Sequence, residues 1–443
     1  MLTGSEAKDL KRRALCTKEK MAADGENGML ISRRKFLGYG PAVAMGAALP
    51  VGASATTEPA AEDYYAKLGV QPIINAAGTY TFLTAAVMPA SVRRAVERAA
   101  YHPVRLKDLQ TAAGEYLARR LRCEAALVSS GASAALTLAT AACIAKANAL
   151  PPEAIPAKVS GHKNEIVVQK AHRYEYDHAM QLCNIVIREV VTADDYRRSL
   201  SDRTVMTNFF NAAEGGEIGR EEWLRIAHEH GVPCHLDAAA DVPPISNLWN
   251  YTGMGFDLVC FSGGKGIRGP QNAGLLLGRK DLIELATQND NPNSDAVGRG
   301  MKVAKEQIVG MVAAVDWLLD QSDEKLEAEY LRRTEVIQHA LASIPSVKIR
   351  VFTPPIANRV PHLIIDIDPN HLGITPLQVA EELRKGTPSI ELNPATGTDG
   401  RGLTGTSNSI VLSTWMLQEG EEHIVATRLR SVLMKARTSQ AVS

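Results

Sequence analysis

The chain of 443 residues carries 49 Lys+Arg and 49 Asp+Glu, a zero net charge that argues against a protein built mainly to grip nucleic acid. At 45% hydrophobic and 22% charged, it has the composition of a globular protein with a large core and the length of two or three domains. Its six cysteines, Cys16, Cys123, Cys143, Cys183, Cys234 and Cys260, form no CxxC pair, which excludes a zinc knuckle or thioredoxin motif.

Residues 1–30 are polar and mixed. Ser32-Arg33-Arg34-Lys35-Phe36-Leu37 follows, then a mild apolar run from Gly38 to Val51, then Ala53-Ser54-Ala55. A basic flank, an apolar region and a small-residue cleavage pattern together read as an export signal. Adjacent arginines before Phe-Leu are of the twin-arginine type. The run is too short to span a membrane. The expectation is an exported, periplasmic protein whose mature chain begins near Thr56. Residues 1–55 are then extension and signal, 56–100 an N-terminal arm, 101–320 a large domain and 321–443 a smaller one.

Ala60 to Leu68 reads as a short helix and Pro72 to Tyr80 as an extended segment. Ser91–Ala100 and Leu109–Leu121 show helical spacing of apolar residues. Ala125–Val128 is a short strand, and Ala134–Ala145 is an alanine-rich helix. Between them, Ser129-Ser130-Gly131-Ala132-Ser133 is a turn of small residues. At a helix start, such a turn either cradles an anion on backbone N–H groups or simply caps the helix.

Glu165–Gln169 is a strand that runs into Ala171-His172-Arg173-Tyr174-Glu175-Tyr176-Asp177-His178. Ligands bind beyond strand ends in open α/β sheets, so His172 is a candidate to stack on a flat ring. The spacing of His172, Asp177 and His178 does not make a metal site. Asn184–Val191 and Thr204–Thr207 are strands, and Arg220–His230 is an amphipathic helix stopped by Gly231. Pro233–Asp237 is a strand that ends in an acid, with Ala238 to Ala240 leaving space around it.

Asp257–Phe261 and Ala273–Gly278 are apolar strands flanking Ser262-Gly263-Gly264-Lys265-Gly266. A lysine on that turn is either an exposed loop cation or an amine held close to a ligand. If partly desolvated, it loses its proton more readily and attacks carbonyls. Alternation of strand and helix predicts a mostly parallel sheet buried on both faces. After Asn289 the pattern changes. Helices at Val303–Leu319, Ala328–Ile344, Pro376–Lys385 and Glu419–Lys435 mix with strands at Val347–Val351, His362–Ile367, Ile390–Leu392 and Ile410–Ser413. This is a smaller α+β domain.

The order SSGAS, the His172 loop, Asp237 in HLDAAAD and Lys265 in FSGGK resembles that of fold-type I pyridoxal-phosphate (PLP) enzymes. SSGASAALTLATAA, HRYEYDHA, LDAAADVPP, FSGGKGIRGPQNAGLLLG and GRGMKVAKEQIVG narrow the resemblance. They look like the group related to bacterial seryl-tRNA(Sec) selenium transferase, and within it like the subgroup that contains glucosaminate-6-phosphate ammonia lyase. The resemblance covers roughly residues 62–435.

It implies PLP as cofactor. Lys265 would be the Schiff-base residue, Asp237 the partner of the ring nitrogen and His172 the stacking residue. Ser130, Gly131, Ala132 and Ser133 would bind the cofactor phosphate, and Ser262 would add a hydroxyl. Arg299 and Lys302 either reach an anionic group in a neighbouring subunit's site or form a solvated helix start. Many such enzymes hold a substrate carboxylate with an arginine near the last strand. Here that strand reads Ile410-Val411-Leu412-Ser413-Thr414, which leaves Arg359 and Arg401 as candidates.

The implied activity is on a small amine, an amino acid or amino sugar acid, by α,β-elimination that releases ammonia. Racemisation, transamination or selenium-transferase-like chemistry would use the same residues. The alternative from another class is an exported, non-catalytic ligand-binding protein. A homodimer or larger homo-oligomer is implied. A tRNA partner is not expected, because the N-terminal place of a tRNA-binding part holds the export signal and a short arm.

Overall fold

The computed structural model describes residues 62–212, 215–399 and 403–442; the expected export signal lies outside them. From Tyr64 onward the chain forms one compact unit.

Its strands are β1 (Ile73–Ala76), β2 (Ala125–Ser129), β3 (Glu165–Gln169), β4 (Val186–Val190), β5 (Thr204–Phe210), β6 (Cys234–Asp237), β7 (Leu258–Ser262), β8 (Gly274–Gly278), β9 (Val347–Phe352), β10 (His362–Ile367), β11 (Ser389–Leu392) and β12 (Ser409–Ser413). Seven of them make a sheet of order β2-β8-β7-β6-β5-β3-β4. β8 runs antiparallel to β2 and β7, and the other pairings are parallel. The mostly parallel α/β sheet expected from the sequence is therefore present.

β7 and β8 run apolar through Leu258–Phe261 and Leu275–Leu277 because both faces are covered. Leu258 and Cys260 of β7 enter one core, and Val259 and Phe261 enter the other. The same alternation splits Leu276 from Leu275 and Leu277 in β8, as the two-residue strand period requires. Helices Leu106–Leu121, Arg220–Glu229 and Lys305–Leu319 cover one face. Helices Ala132–Asn148 and Lys280–Gln288 cover the other. Every residue of the first of these from Ala134 to Ala145 is buried. It therefore needs no polar stripe, and its alanines let it sit close to the sheet.

β9, β10 and β12 form a separate antiparallel sheet of order β12-β10-β9. Helices Asp323–Leu341, Pro376–Arg384 and Glu421–Val442 supply its core partners. β1, from the arm, pairs in parallel with β11.

Among the described residues, three buried histidines and two buried aspartates have shifts that oppose one another. His172, His235 and His362 are all but fully buried, and burial pushes each ring down to about 4. Asp241 and Asp290 are also buried, and burial pushes both carboxyls up to about 6. A depressed histidine stabilises the fold above its unfolded value, and that contribution is lost as pH falls from 6.5 through 4, at up to about 3 kcal/mol per ring. A raised aspartate works the other way, and its destabilising effect fades as pH falls through 6. Three histidines against two aspartates leave a net loss of roughly 3 kcal/mol on acidification. The melting temperature is expected to fall between pH 6.5 and 4, and to fall less in His235→Asn. A flat or rising profile would contradict this balance.

Candidate active site

Lys265 lies on the turn between β7 and β8, and close backbone approach explains the glycines around it. A Cβ on Gly266 would collide with the carbonyl oxygen of Val242. Gly263 N–H donates to Ala273 O at 2.8 Å, and Gly269 N–H to Gly263 O at 2.7 Å. The arm is tied to the same turn, through Ala86 N–H to Gly264 O at 2.9 Å and Gln271 Nε2 to Thr81 O at 2.9 Å. Burial lowers the basicity of the Lys265 amine, while the Asp237 and Asp241 carboxylates oppose that effect. A lysine poised in this way carries a larger neutral fraction and is the better nucleophile toward a carbonyl.

Asp237 ends β6 and is 5% exposed. Its Oδ1 accepts from Ala239 N–H at 3.0 Å, and its Oδ2 accepts from the Tyr174 hydroxyl. Beneath it, Asp241 Oδ2 accepts from Asn211 Nδ2 at 2.5 Å and from the Tyr251 hydroxyl at 3.1 Å. Asp241 is thus a second buried acid, four residues beyond Asp237.

The turn after β2 is the third component. Gly131, at φ 107°, precedes helix Ala132–Asn148 and no side chain caps that helix. The first backbone N–H groups of a helix lack intrahelical partners and carry the positive end of its dipole. β8 closes against this turn, since a Cβ on Gly274 would lie 2.5 Å from Gly131 C and 2.8 Å from Ala132 N.

These parts meet in one cavity of about 990 Å³, lined by Ser130, Gly131, Ala132, Ser133, Asp237, Ser262 and Lys265. Tyr80, Thr81, Tyr174, Phe210, Asn358, His362 and Leu403 also line it. It opens where β3, β5, β6 and β7 end, the edge at which parallel sheets bind ligands.

Of the residues expected to touch the cofactor, His172 is not brought there. His172 is 3% exposed, packs edge-on to Phe209 with centroids 4.5 Å apart, and accepts from Phe210 N–H at 3.4 Å; it does not line the cavity. The segment beyond β3 turns its next aromatic inward instead. Tyr174 stacks on Phe210 at 3.9 Å, while its hydroxyl holds Asp237. Desolvation of an imidazole favours its neutral, buried form, whereas the tyrosine keeps an apolar face and a polar tip on the cavity.

The aminotransferase class-V family matches residues 122–367. The chain belongs to that family. A 5'-C-glycyluridine monooxygenase-decarboxylase of Streptomyces sp is 30% identical over 342 residues, 74% of this chain and 83% of that protein. A D-glucosaminate-6-phosphate ammonia lyase of Salmonella typhimurium is 25% identical over 338 residues, 74% of this chain and 88% of that protein. The solved structure of a D-glucosaminate-6-phosphate ammonia-lyase overlays with a TM-score of 0.70 at 23% identity, covering 85% of this chain and 99% of the other. The resemblance read from the sequence is borne out, and the protein is a PLP-dependent enzyme of fold type I.

The cavity fits that cofactor. The Ser130, Ser133 and Ser262 hydroxyls donate to no described residue, and the uncapped helix start offers N–H groups to a phosphate. The Lys265 amine makes no hydrogen bond or ion pair among the described residues and is available to an aldehyde. The buried Asp237 carboxylate would be the anion that a cofactor's ring nitrogen needs.

The basic candidates lie elsewhere. Arg299, Lys302 and Arg359 are exposed and do not line the cavity, and Arg401 lies outside the described residues. Lys265 and Asp237 are the only formally charged side chains on the described lining. Tyr174, Asn358 and His362 were not read as site residues from the sequence. The one signal for Tyr174 was its place in the loop after β3. Nothing in the sequence marks His362, which begins an ordinary apolar strand. Among the described residues, no His, Cys, Asp and Glu cluster suits a metal, and no helix is long and apolar enough to cross a membrane.

Proposed function

We propose that the protein takes a small amine substrate, an amino acid or amino sugar acid, and eliminates a β-substituent to release ammonia and a keto product. The observation that carries this reading is a desolvated, unpaired Lys265 sharing one cavity with buried Asp237 and an uncapped helix start. When bound, PLP supplies the electron sink that makes a proton on the substrate Cα removable. The chain's own residues do the rest. Ser130–Ser133 and Ser262 hold the phosphate, Asp237 keeps the ring nitrogen charged, and Lys265 moves protons as acid and base. Tyr174 fixes Asp237 through its hydroxyl and presents an aromatic face to the cavity. Among the named relatives, the ammonia lyase supports elimination.

Export through the twin-arginine route and assembly as a homodimer or larger ring are part of the same reading. Arg299 and Lys302, exposed in the single chain, then serve a neighbouring copy's site. A second reading rests on the 30% identity with a monooxygenase-decarboxylase, oxidative decarboxylation of an amino acid with consumption of dioxygen. The test is to incubate the cofactor-loaded protein, residues 56–443, with a panel of amino acids and amino sugar acids. Ammonia, keto product, carbon dioxide and dioxygen are followed together. Elimination gives ammonia and keto product in equal amounts with dioxygen unchanged. Dioxygen uptake matched by carbon dioxide selects the second reading, and turnover of no amine overturns both.

A further inference from the structure

His362 is 4% exposed and yet lines the cavity that holds Lys265. It opens β10, which belongs to the second sheet, so it reaches the cavity from a different wall than the lysine turn. Its Nδ1 lies 2.8 Å from the carbonyl oxygen of Val360. A carbonyl only accepts, so Nδ1 carries the proton and Nε2 presents its lone pair. Nε2 makes no hydrogen bond with any described residue.

The ring is held by a chain of backbone bonds. Val360 N–H donates to Asn358 O at 2.6 Å, and Asn358 N–H donates to Ala240 O at 2.8 Å. That chain ties His362 to the segment just after Asp237. Burial also keeps the imidazole neutral, pushing it down to about 4. The wall beside it is Pro354, Pro355, Ile356, Ala357 and Leu403, apolar apart from Asn358.

We propose that His362 Nε2 is a specificity-determining acceptor that takes a hydrogen bond from a substrate hydroxyl, so that the preferred substrates are hydroxylated amines. A carboxylate would meet the lone pair with repulsion. An apolar group would leave a buried acceptor unpaired, which costs about tenfold or more in affinity. The reacting amine is committed to the Lys265 side, leaving a hydroxyl on the rest of the substrate as the donor. This deepens the amine-substrate reading of the cavity and rests on it.

The experiment measures binding, not turnover. Cofactor-loaded wild type, His362→Phe and His362→Gln are titrated with serine against alanine and threonine against 2-aminobutyrate, following the visible absorbance. Wild type is expected to bind the hydroxylated member of at least one pair about tenfold more tightly or better. His362→Phe should bind both members alike while retaining the visible band. His362→Gln, which keeps an acceptor, should recover part of the preference. Equal binding of every pair by wild type, or a preference that survives in His362→Phe, overturns the proposal. If His362→Phe fails to fold, His362→Leu, which also lacks an acceptor, takes its place, and a preference that survives there overturns the proposal too. A protein with no visible band at all fails the cofactor assignment instead, which separates the two.

Discussion

Lys265→Ala is expected to abolish the visible absorbance that wild type shows after loading with PLP, the band that borohydride removes. Turnover should fall on the order of a thousandfold or more, as when a covalent nucleophile is deleted. The same substitution is expected to leave the melting temperature unchanged or slightly raised. The reason is visible in the structure: the amine makes no hydrogen bond or ion pair among the described residues, and burial lowers its basicity. An unpaired polar group in a desolvated place contributes cost rather than stability. The turn itself is held by glycine backbone contacts and by Gly263 N–H on Ala273 O, none of which needs the lysine side chain. Absorbance, borohydride treatment and thermal melting of the two proteins check this together. A variant that keeps the band would remove Lys265 from its assigned role, and a variant that unfolds would show that the amine is structural.

The sequence makes the middle of the large sheet legible because strands such as β7 and β8 are buried on both faces. DLVCF and AGLLLG have no polar interruption, and few other structures tolerate such runs between glycine turns. The lysine and aspartate were visible too, one on the glycine turn between those runs and the other at the end of a strand followed by three alanines. Five helices among the described residues were not visible, and two of them, Asp177–Gln181 and Pro369–Leu372, have five residues or fewer. Ala193–Ser199 is too short for a periodic pattern and is held by a capping box between Thr192 and Asp195. Asn247–Met254 has only Leu248 and Tyr251 buried. Lys280–Gln288 packs Leu282, Ile283 and Ala286 over barely two turns. The site was harder to read where two residues of one loop compete for one cavity. His172 and Tyr174 are two apart, and which of them turns inward depends on Phe209 and Phe210, more than thirty residues away. His362 was illegible for the same reason. Its role comes from the register that sets β10 beside β12 and from the backbone tie to Ala240, and neither is a local property of the chain.

Asp237→Asn and Tyr174→Phe are expected to move the cofactor's pH response in opposite directions. Asp237→Asn is nearly isosteric. Its side-chain oxygen still accepts from Ala239 N–H, and its amide still meets the Tyr174 hydroxyl, so the fold and the covalent hold on Lys265 should survive. What is lost is one buried negative charge. Without that charge the ring nitrogen is no longer kept protonated and the electron sink weakens, so turnover should fall on the order of a hundredfold to ten-thousandfold. The Asp237 carboxylate also raises the basicity of Lys265. Removing an anion disfavours the protonated form beside it, so the midpoint at which the visible band changes with pH should move down. Tyr174→Phe removes the hydroxyl that donates to Asp237 Oδ2. The carboxylate then keeps more of its negative charge for its neighbours, and the midpoint should move up, with a loss of turnover of about tenfold or less. Opposite shifts in the two variants, read by absorbance between pH 5 and 10, would establish that Tyr174 acts through Asp237. Shifts of the same sign would mean that Tyr174 touches the cofactor by itself, and no shift in Asp237→Asn would put the ring nitrogen's partner elsewhere in the cavity.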